Sequence, residues 1–210
     1  MNRGVGELEI ELPESPNADD MGPALTEDFA LSLLKQPALS PEVLEKISKN
    51  SALMKSRKLK LALVAHPKTP RHLLLPVLRH LFTFDLMRVA LMPTIAADIK
   101  IAAEESLITR LEKLSLGEKL SLARRASGRV AASLLDEPDR RVIDAALQNS
   151  RLTETAIIKQ LTRRKTNQIL VDAICNHPKW KLRPEIMVAL KQENTAMDEA
   201  GPASNGTSLP

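Results

Sequence analysis

The sequence predicts an all-α protein, built as a right-angle or curved stack of short antiparallel helix pairs in about six units of about 28 residues. Apolar residues follow the i, i+3, i+4 spacing of a helix, as at Val43, Leu44 and Ile47. Signals for strands are thin, because the chain has no tyrosine and its central part holds only Gly117 and Gly128 as glycines. A turn residue returns between short apolar segments, at Pro37, Pro67, Pro93, Arg125, Ser150 and Pro178.

Each unit is predicted to contain two helices, the first ending just before the turn residue and the second starting shortly after it. In chain order, the first helices come from LSLLKQP, LALVAHP, VALMP, LSLARR, AALQNS and DAICNHP. The second helices come from SPEVLEKI, TPRHLLLPVL, ADIKIAAEESLI, SGRVAASLL, TETAIIKQL and KLRPEIMVAL. A unit of this size is one supersecondary element, so it can bury its apolar face only against its neighbours.

Helix boundaries are marked by capping residues and prolines. Ser40 before Pro41, and Thr69 before Pro70, each place a side-chain oxygen at the N-cap and a proline at the first helical position, where no amide hydrogen is needed. Thr153 is a third N-cap, followed by a carboxylate that favours the positive end of the helix dipole. The first helices end before the turn prolines because proline lacks an amide hydrogen and restricts the preceding residue.

The phrases ALVAHPKTP, AALQNSRLT and AICNHPKW resemble the alanine, asparagine-proline and threonine-proline phrasing of the leucine-rich repeat variant family. More broadly, they are similar to HEAT-like and armadillo-like α-solenoids, and the resemblance covers about residues 31–192. The iron–sulfur cysteine cluster of the variant family has no counterpart, because Cys175 is the one cysteine of the chain. The resemblance implies a binding scaffold with no particular partner.

Acidic ends flank a basic central part. Residues 1–30 carry eight acidic residues and one basic residue, and residues 193–210 carry three acidic residues and no basic one. Because the whole chain has a net charge of +4, residues 31–192 hold a net charge of +14. The ends are also rich in glycine, so we expect residues 1–24 and 193–210 to be disordered tails around a repeat domain at residues 25–192.

The acidic N-terminal tail suggests a regulatory hypothesis. If the tail folds back onto the basic part, it competes with an acidic partner, and deleting residues 1–24 strengthens binding to polyanions.

The first residues lack a charged-then-apolar signal pattern, and no apolar run approaches the roughly 18 residues that a membrane helix requires. We therefore expect a cytoplasmic protein that does not bind membranes.

The four histidines favour structural roles over metal binding. His66 and His177 hold the same repeat position, directly before a turn proline, which predicts a structural role for both. His72 and His80 lie on one predicted helix beside arginines, whereas a metal site needs converging cysteine or carboxylate partners. We therefore expect no metal site.

No catalytic set is recognisable among the remaining reactive residues. Cys175 is expected to be a small, buried core residue in a reducing compartment. The carboxylate pairs Glu104–Glu105 and Asp136–Glu137 are expected on solvated faces. The chain is therefore predicted to be no enzyme, with no cofactor and no small-molecule substrate.

Clustered basic residues carry the strongest functional signal. Clusters near residues 55–60, 140–141 and 163–165 lie between units, whereas residues 124–129 and 179–183 lie at turns within a unit, on the opposite edge. Part of this charge is typical of helix ends, where lysine and arginine meet terminal carbonyls. The candidate contacts for an anionic partner are Arg57, Lys58, Lys60, Arg71, Arg79, Arg124, Arg125, Arg129, Arg140, Arg141, Arg163, Arg164 and Lys165.

Two functions remain open. The first is a non-enzymatic scaffold that binds a protein partner in a groove formed by the second helices. The alternative is sequence-nonspecific binding to the phosphate backbone of duplex nucleic acid. HEAT-like DNA glycosylases are similar in size and charge, but they carry several aromatic residues beside a catalytic acid. Here Trp180 is isolated, and Phe82 and Phe84 lie at a unit junction, so base stacking has little to use.

Overall fold

The structure is a computed structural model that describes residues 25–163 and 167–199, with side chains described to residue 192. All regular secondary structure in these residues is helical, so the predicted all-α class is confirmed. The predicted acidic N-terminal tail lies outside the described residues, as do residues 164–166 and 200–210. The chain divides into two compact units, Met1–Leu81 and Phe82–Pro210.

The first unit contains two consecutive helix pairs. Its helices are α1 (Glu27–Leu33), α2 (Pro41–Lys49), α3 (Arg57–Ala65) and α4 (Arg71–Arg79), with a 3-10 turn at Leu53–Lys55. Both α1 and α4 pack against α3. Leu44, Ile47, Leu59 and Leu63 are fully buried and form much of the core of this unit.

The second unit contains four consecutive helix pairs. Its helices are α5 (Thr83–Leu91), α6 (Ala97–Ile108), α7 (Leu116–Arg125), α8 (Gly128–Ser133), α9 (Arg140–Leu147), α10 (Glu154–Leu161), α11 (Gln168–Asn176) and α12 (Pro184–Glu199). Single 3-10 turns are formed by Leu111–Lys113, Leu134–Asp136 and Trp180–Leu182. Each predicted unit of the sequence therefore corresponds to one helix pair.

Helices of the second unit pack in two series. The first helices of the pairs contact one another in order, α7 against α9 and α9 against α11, and the second helices do the same, α6 against α8, α8 against α10 and α10 against α12. From α6 onward, helices of the second unit therefore contact the equivalent helix of the next pair. A single α-solenoid over residues 25–192 stays a prediction.

Two of the three predicted N-caps are confirmed. Ser40 is the N-cap residue of α2, with Pro41 at the first helical position, although the Ser40 side chain makes no capping hydrogen bond. Thr153 is the N-cap residue of α10, and its hydroxyl accepts a hydrogen bond from the Ala156 N–H at 3.3 Å. Both helices thus begin where a local side chain or a proline accommodates the unpaired first turn.

Two predicted turn residues have other roles. Thr69 is not an N-cap residue, because Pro70 holds that position in α4 and the buried Thr69 hydroxyl instead donates to the Leu63 carbonyl at 2.7 Å. Arg125 is not a turn residue but the last residue of α7, and Ser127 two positions later already caps α8. The turn between α7 and α8 is therefore shorter than its counterparts.

The C-terminal helix pair departs from the sequence prediction at two places. Cys175 is exposed, so its expected burial was wrong. Helix α11 buries Leu170 and Ile174, whereas Cys175 follows the exposed Asp172 by three positions and shares its outer face. Helix α12 continues to Glu199, past the predicted domain end at residue 192, because no proline or glycine interrupts this stretch.

His66 links the two turns of the first unit. Its Nδ1 accepts a hydrogen bond from the Lys68 N–H at 3.2 Å, and its Nε2–H donates to the Gln36 carbonyl at 2.9 Å. The ring therefore supports its own turn and binds the turn that follows α1. This is the type of structural role that the repeat position of His66 predicts.

Candidate binding surfaces

Four basic side chains near the junctions between helix pairs of the second unit lie beside carboxylates. The Lys119 ammonium lies 2.7 Å from the Glu137 carboxylate, and the two side chains are only 16% and 14% exposed. Arg163 pairs with Asp136, and both ion pairs line a cleft of about 500 Å³. Burial raises the pKa of the Asp136 carboxyl, and the Arg163 guanidinium opposes this shift. Asp136 and Glu137 were expected on a solvated face, but each forms an ion pair with a basic side chain.

The first turn of α9 carries two further ion pairs. Arg140 Nε lies 2.9 Å from Asp144 Oδ1, and the Arg141 guanidinium lies 2.8 Å from Asp139 Oδ2. Hydrogen bonds from the Arg141 side chain and backbone hold the pKa of Asp139 below its ordinary value. We call Lys119, Arg140, Arg141, Arg163 and their carboxylate partners the junction surface. Its positive charges are neutralised locally.

Basic side chains at the turns within helix pairs are mostly without such partners. Arg129 pairs with Glu105 at 3.0 Å and with Glu104 at 3.7 Å, and Arg183 lies 4.0 Å from Glu154. Five other cations at these turns are exposed and have no acidic partner in the described part of the chain. We call these five the turn surface, and they are Arg124, Arg125, Arg151, Lys179 and Lys181.

Hydrogen bonds join the first two of these turns into one edge. The buried Asn149 amide donates to the Ala123 carbonyl at 2.8 Å and to the Ala126 carbonyl at 3.1 Å, while its oxygen accepts from the Arg151 N–H at 2.8 Å. The Arg151 guanidinium also reaches the Arg125 carbonyl at 3.5 Å. The turn after α9 is thereby fixed against the turn after α7.

Trp180 fixes the third turn in the same way. Its indole N–H donates to the Leu147 carbonyl at the end of α9, at 2.8 Å, and the ring is buried. The Lys179 ammonium lies over this ring, 3.9 Å from its centroid, in a cation–π contact. His177 Nδ1 accepts hydrogen bonds from the N–H groups of Lys179 and Trp180 at 3.2 and 3.4 Å. The turn surface is thus displayed on tightly bonded backbone.

The first unit holds a separate set of candidate residues. Arg57 and Lys58 are exposed and Lys60 is half-buried, all in the first turn of α3, while Arg71 and Arg79 are exposed at the two ends of α4. Cations in a first turn face the positive end of the helix dipole, which is unfavourable. These three residues of α3 therefore gain nothing from the dipole of their own helix.

An apolar groove lies between α10 and α12. It has a volume of about 340 Å³ and is lined by Ile158, Thr162, Pro184, Glu185, Val188, Ala189 and Gln192. Val188 is 54% exposed although its side chain is apolar. A partly open apolar groove between two helices of the second series can accept an apolar side chain from another molecule.

Two elements of these surfaces escaped the sequence analysis. Arg151 stands alone in the sequence, so grouping charges by adjacency missed a residue that folding brings against Arg125. The groove depends on which residues of α10 and α12 face each other, and helical periodicity alone does not give that register. Arg164 and Lys165 lie outside the described residues, so their place in either surface stays a prediction.

Within residues 25–163 and 167–199, no group of three or more histidine, cysteine, aspartate or glutamate side chains is arranged to hold a metal ion. No helix in the same ranges has both the length and the hydrophobicity needed to cross a bilayer. No protein-family model, curated protein or solved structure matches this chain.

Proposed function

We propose that this protein is a non-enzymatic repeat scaffold that binds a protein partner, with the groove between α10 and α12 as its anchoring point. The observation that supports this function is the apolar lining of the groove, in which Ile158, Pro184 and Val188 remain open to solvent. Burying one apolar side chain contributes roughly 1.5–3 kcal/mol, which is the size of a typical interface hot spot.

A matched pair of substitutions in α12 tests this function. Val188→Glu introduces a charge into the groove, whereas Met187→Glu introduces the same charge on the same helix at a residue that is exposed but outside the groove. A partner captured from source-cell lysate by the wild type and identified should bind Val188→Glu at least about tenfold more weakly in purified form. Met187→Glu should bind nearly as the wild type does. Unchanged affinity of Val188→Glu would contradict the proposal.

Binding to the phosphate backbone of duplex nucleic acid is the alternative. The exposed turn surface favours it, because five cations without acidic partners suit a polyanion. Two observations weigh against it: the junction surface is neutralised by its own carboxylates, and Trp180 is buried and so offers no stacking platform. A gel-shift assay at low ionic strength tests this alternative, and the absence of retardation would remove it.

A further inference from the structure

The turn surface concentrates positive charge that no acidic side chain in the described part of the second unit neutralises. Arg124 and Arg125 end α7, Arg151 follows α9, and Lys179 and Lys181 follow α11. All five side chains are exposed and have no acidic partner in the described residues, whereas each cation of the junction surface has a carboxylate partner. Ion pairs neutralise the cations of the junction surface but not those of the turn surface. The positive potential is therefore concentrated at the turn surface.

Helix dipoles account for part of this charge but not for all of it. Arg124 and Arg125 lie in the last turn of α7, where a cation meets the negative end of the dipole. Arg151 lies in the turn after α9 and donates to the Arg125 carbonyl at the end of α7, but its side chain stays exposed. Lys181 lies in the 3-10 segment before α12, outside the α-helices, and is exposed as well. Their charge is available to a partner.

The turn surface continues into the apolar groove. Lys181 is followed by Leu182, whose side chain is 74% exposed, then by Arg183 and by Pro184, which lines the groove. A ligand that crosses this stretch meets cations first, then an exposed leucine, then apolar lining. A phosphodiester backbone has no apolar group to cover Leu182 or to enter the groove, whereas a polypeptide can present carboxylates and an apolar side chain together.

We propose that the turn surface is the docking site for an acidic polypeptide segment of the protein partner, one that carries an apolar residue beside its carboxylates. This inference rests on the proposed protein-binding function and specifies the chemistry of its partner. Charge complementarity supplies long-range steering and orientation, and the groove supplies the apolar anchor. The hydrogen bonds of Asn149 and Trp180 hold the backbone beneath the cations, so little ordering is needed when the segment binds.

The experiment uses the full chain and a fluorescein-labelled glutamate-rich peptide with one central leucine, followed by fluorescence anisotropy. The test variant is Arg125→Glu with Arg151→Glu, which reverses charge in two adjoining turns. The control is Arg88→Glu with Lys113→Glu, because both residues are exposed and lack acidic partners in the described ranges, and Arg88 lies in the last turn of α5 as Arg125 does in α7. The two variants therefore change the net charge equally.

We expect the test variant to weaken peptide binding at least about tenfold, and the control variant to weaken it less than about threefold at physiological salt. Circular dichroism verifies that both are folded, and the milder Arg125→Gln with Arg151→Gln should give a smaller loss in the same direction. Equal losses in both variants, or no loss in the test variant, would overturn the assignment. A second result would also overturn it: the wild type binds a duplex DNA probe more tightly than the peptide at matched salt, and Arg125→Glu with Arg151→Glu abolishes the DNA binding.

Failure of this inference is distinguishable from failure of the proposed function. If the identified partner loses affinity for Val188→Glu but not for Arg125→Glu with Arg151→Glu, the groove function stands and the turn surface does not. If the test variant alone loses the partner, the turn surface stands and the groove does not. Replacing the central leucine of the peptide by serine separates the apolar contribution, and we expect it to weaken binding to the wild type severalfold.

Discussion

Asn149 and His66 occupy the same position in their helix pairs and make the same two kinds of hydrogen bond. Each side chain accepts from the N–H two residues further on, and each donates to a carbonyl that follows the first helix of the preceding pair. An amide and an imidazole are interchangeable here because each presents one acceptor and one donor at suitable separation. The chemistry of the position is therefore retained while the residue type changes.

Asn149→Ala should destabilise the protein by about 2–4 kcal/mol, because it leaves the buried carbonyls of Ala123 and Ala126 without their donor. Asn149→Asp should cost a comparable amount, since it keeps the acceptor for the Arg151 N–H but removes the donor. Urea unfolding measures both variants, with the exposed Gln148→Ala as the control. If Asn149→Ala shifted the midpoint no more than Gln148→Ala, the inter-turn bonds would be energetically unimportant.

His177 should make stability depend on pH. Burial, with help from the nearby Lys179 charge, lowers the pKa of His177 below its ordinary value of 6.5, although Asp144 opposes the shift. The unfolded chain then binds the proton more readily, so the stability contributed by neutral His177 is present above pH 6.5 and is lost as the pH falls below it.

The variant His177→Asn isolates this effect, because asparagine keeps an acceptor for the Lys179 N–H but does not titrate near neutrality. Chemical unfolding at pH values from about 7.5 to about 5 should show a steeper loss of stability for the wild type than for the variant. Parallel pH profiles would show that His177 titrates alike in the folded and unfolded chains.

At the scale of elements, the start of α8 lies so close to the turn after α9 that only a glycine fits at position 128. A Cβ on Gly128, at the start of α8, would lie 2.2 Å from the Arg151 carbonyl oxygen, whereas a Cβ on Gly117 in α7 would meet nothing within 4 Å. The first glycine lets α8 begin directly against the turn after α9. The second has no such contact, and its cost in a helix is one of backbone entropy.

Gly128→Ala should therefore destabilise the protein by about 1–3 kcal/mol, because backbone atoms must move to admit the methyl group. Gly117→Ala should stabilise it by about 0.5–1 kcal/mol, since alanine restricts the unfolded chain and is a better helix former. Thermal unfolding of the two variants gives shifts of opposite sign. If both variants raised the melting temperature, the turn after α9 would be able to move away from the added methyl group at little cost.

Helix existence was predictable from the sequence, whereas several helix boundaries were not. The i, i+3, i+4 pattern and the turn residues identify both helices of each pair. The serine–proline pair at Ser40 and the capping side chain of Thr153 mark two of the helix starts. Thr69 was assigned wrongly because its hydroxyl binds the Leu63 carbonyl instead of the next helix. Ser and Thr side chains choose between such local partners according to backbone geometry, which the sequence does not specify.

At the scale of the whole molecule, net charge is less informative than its distribution. The charge of +14 on residues 31–192 suggests a polyanion partner, but in the second unit the junction surface pairs its cations with carboxylates, and the partners of Lys119 and Arg163 come from other elements. The turn surface, in contrast, groups five exposed cations that have no acidic partner in the described part of the chain. The two compact units contain two and four helix pairs, and each buries apolar faces between its own helices.

The sequence by itself determined the helical class, the repeated pairing of helices and the excess of positive charge, because periodicity, turn residues and composition are local properties of the chain. Only the tertiary structure decided which cations are neutralised, that Arg151 joins Arg125, and that α10 and α12 leave an apolar groove between them. These features arise from contacts between residues that are distant in sequence. Their geometry depends on how helices pack, which local pattern does not encode.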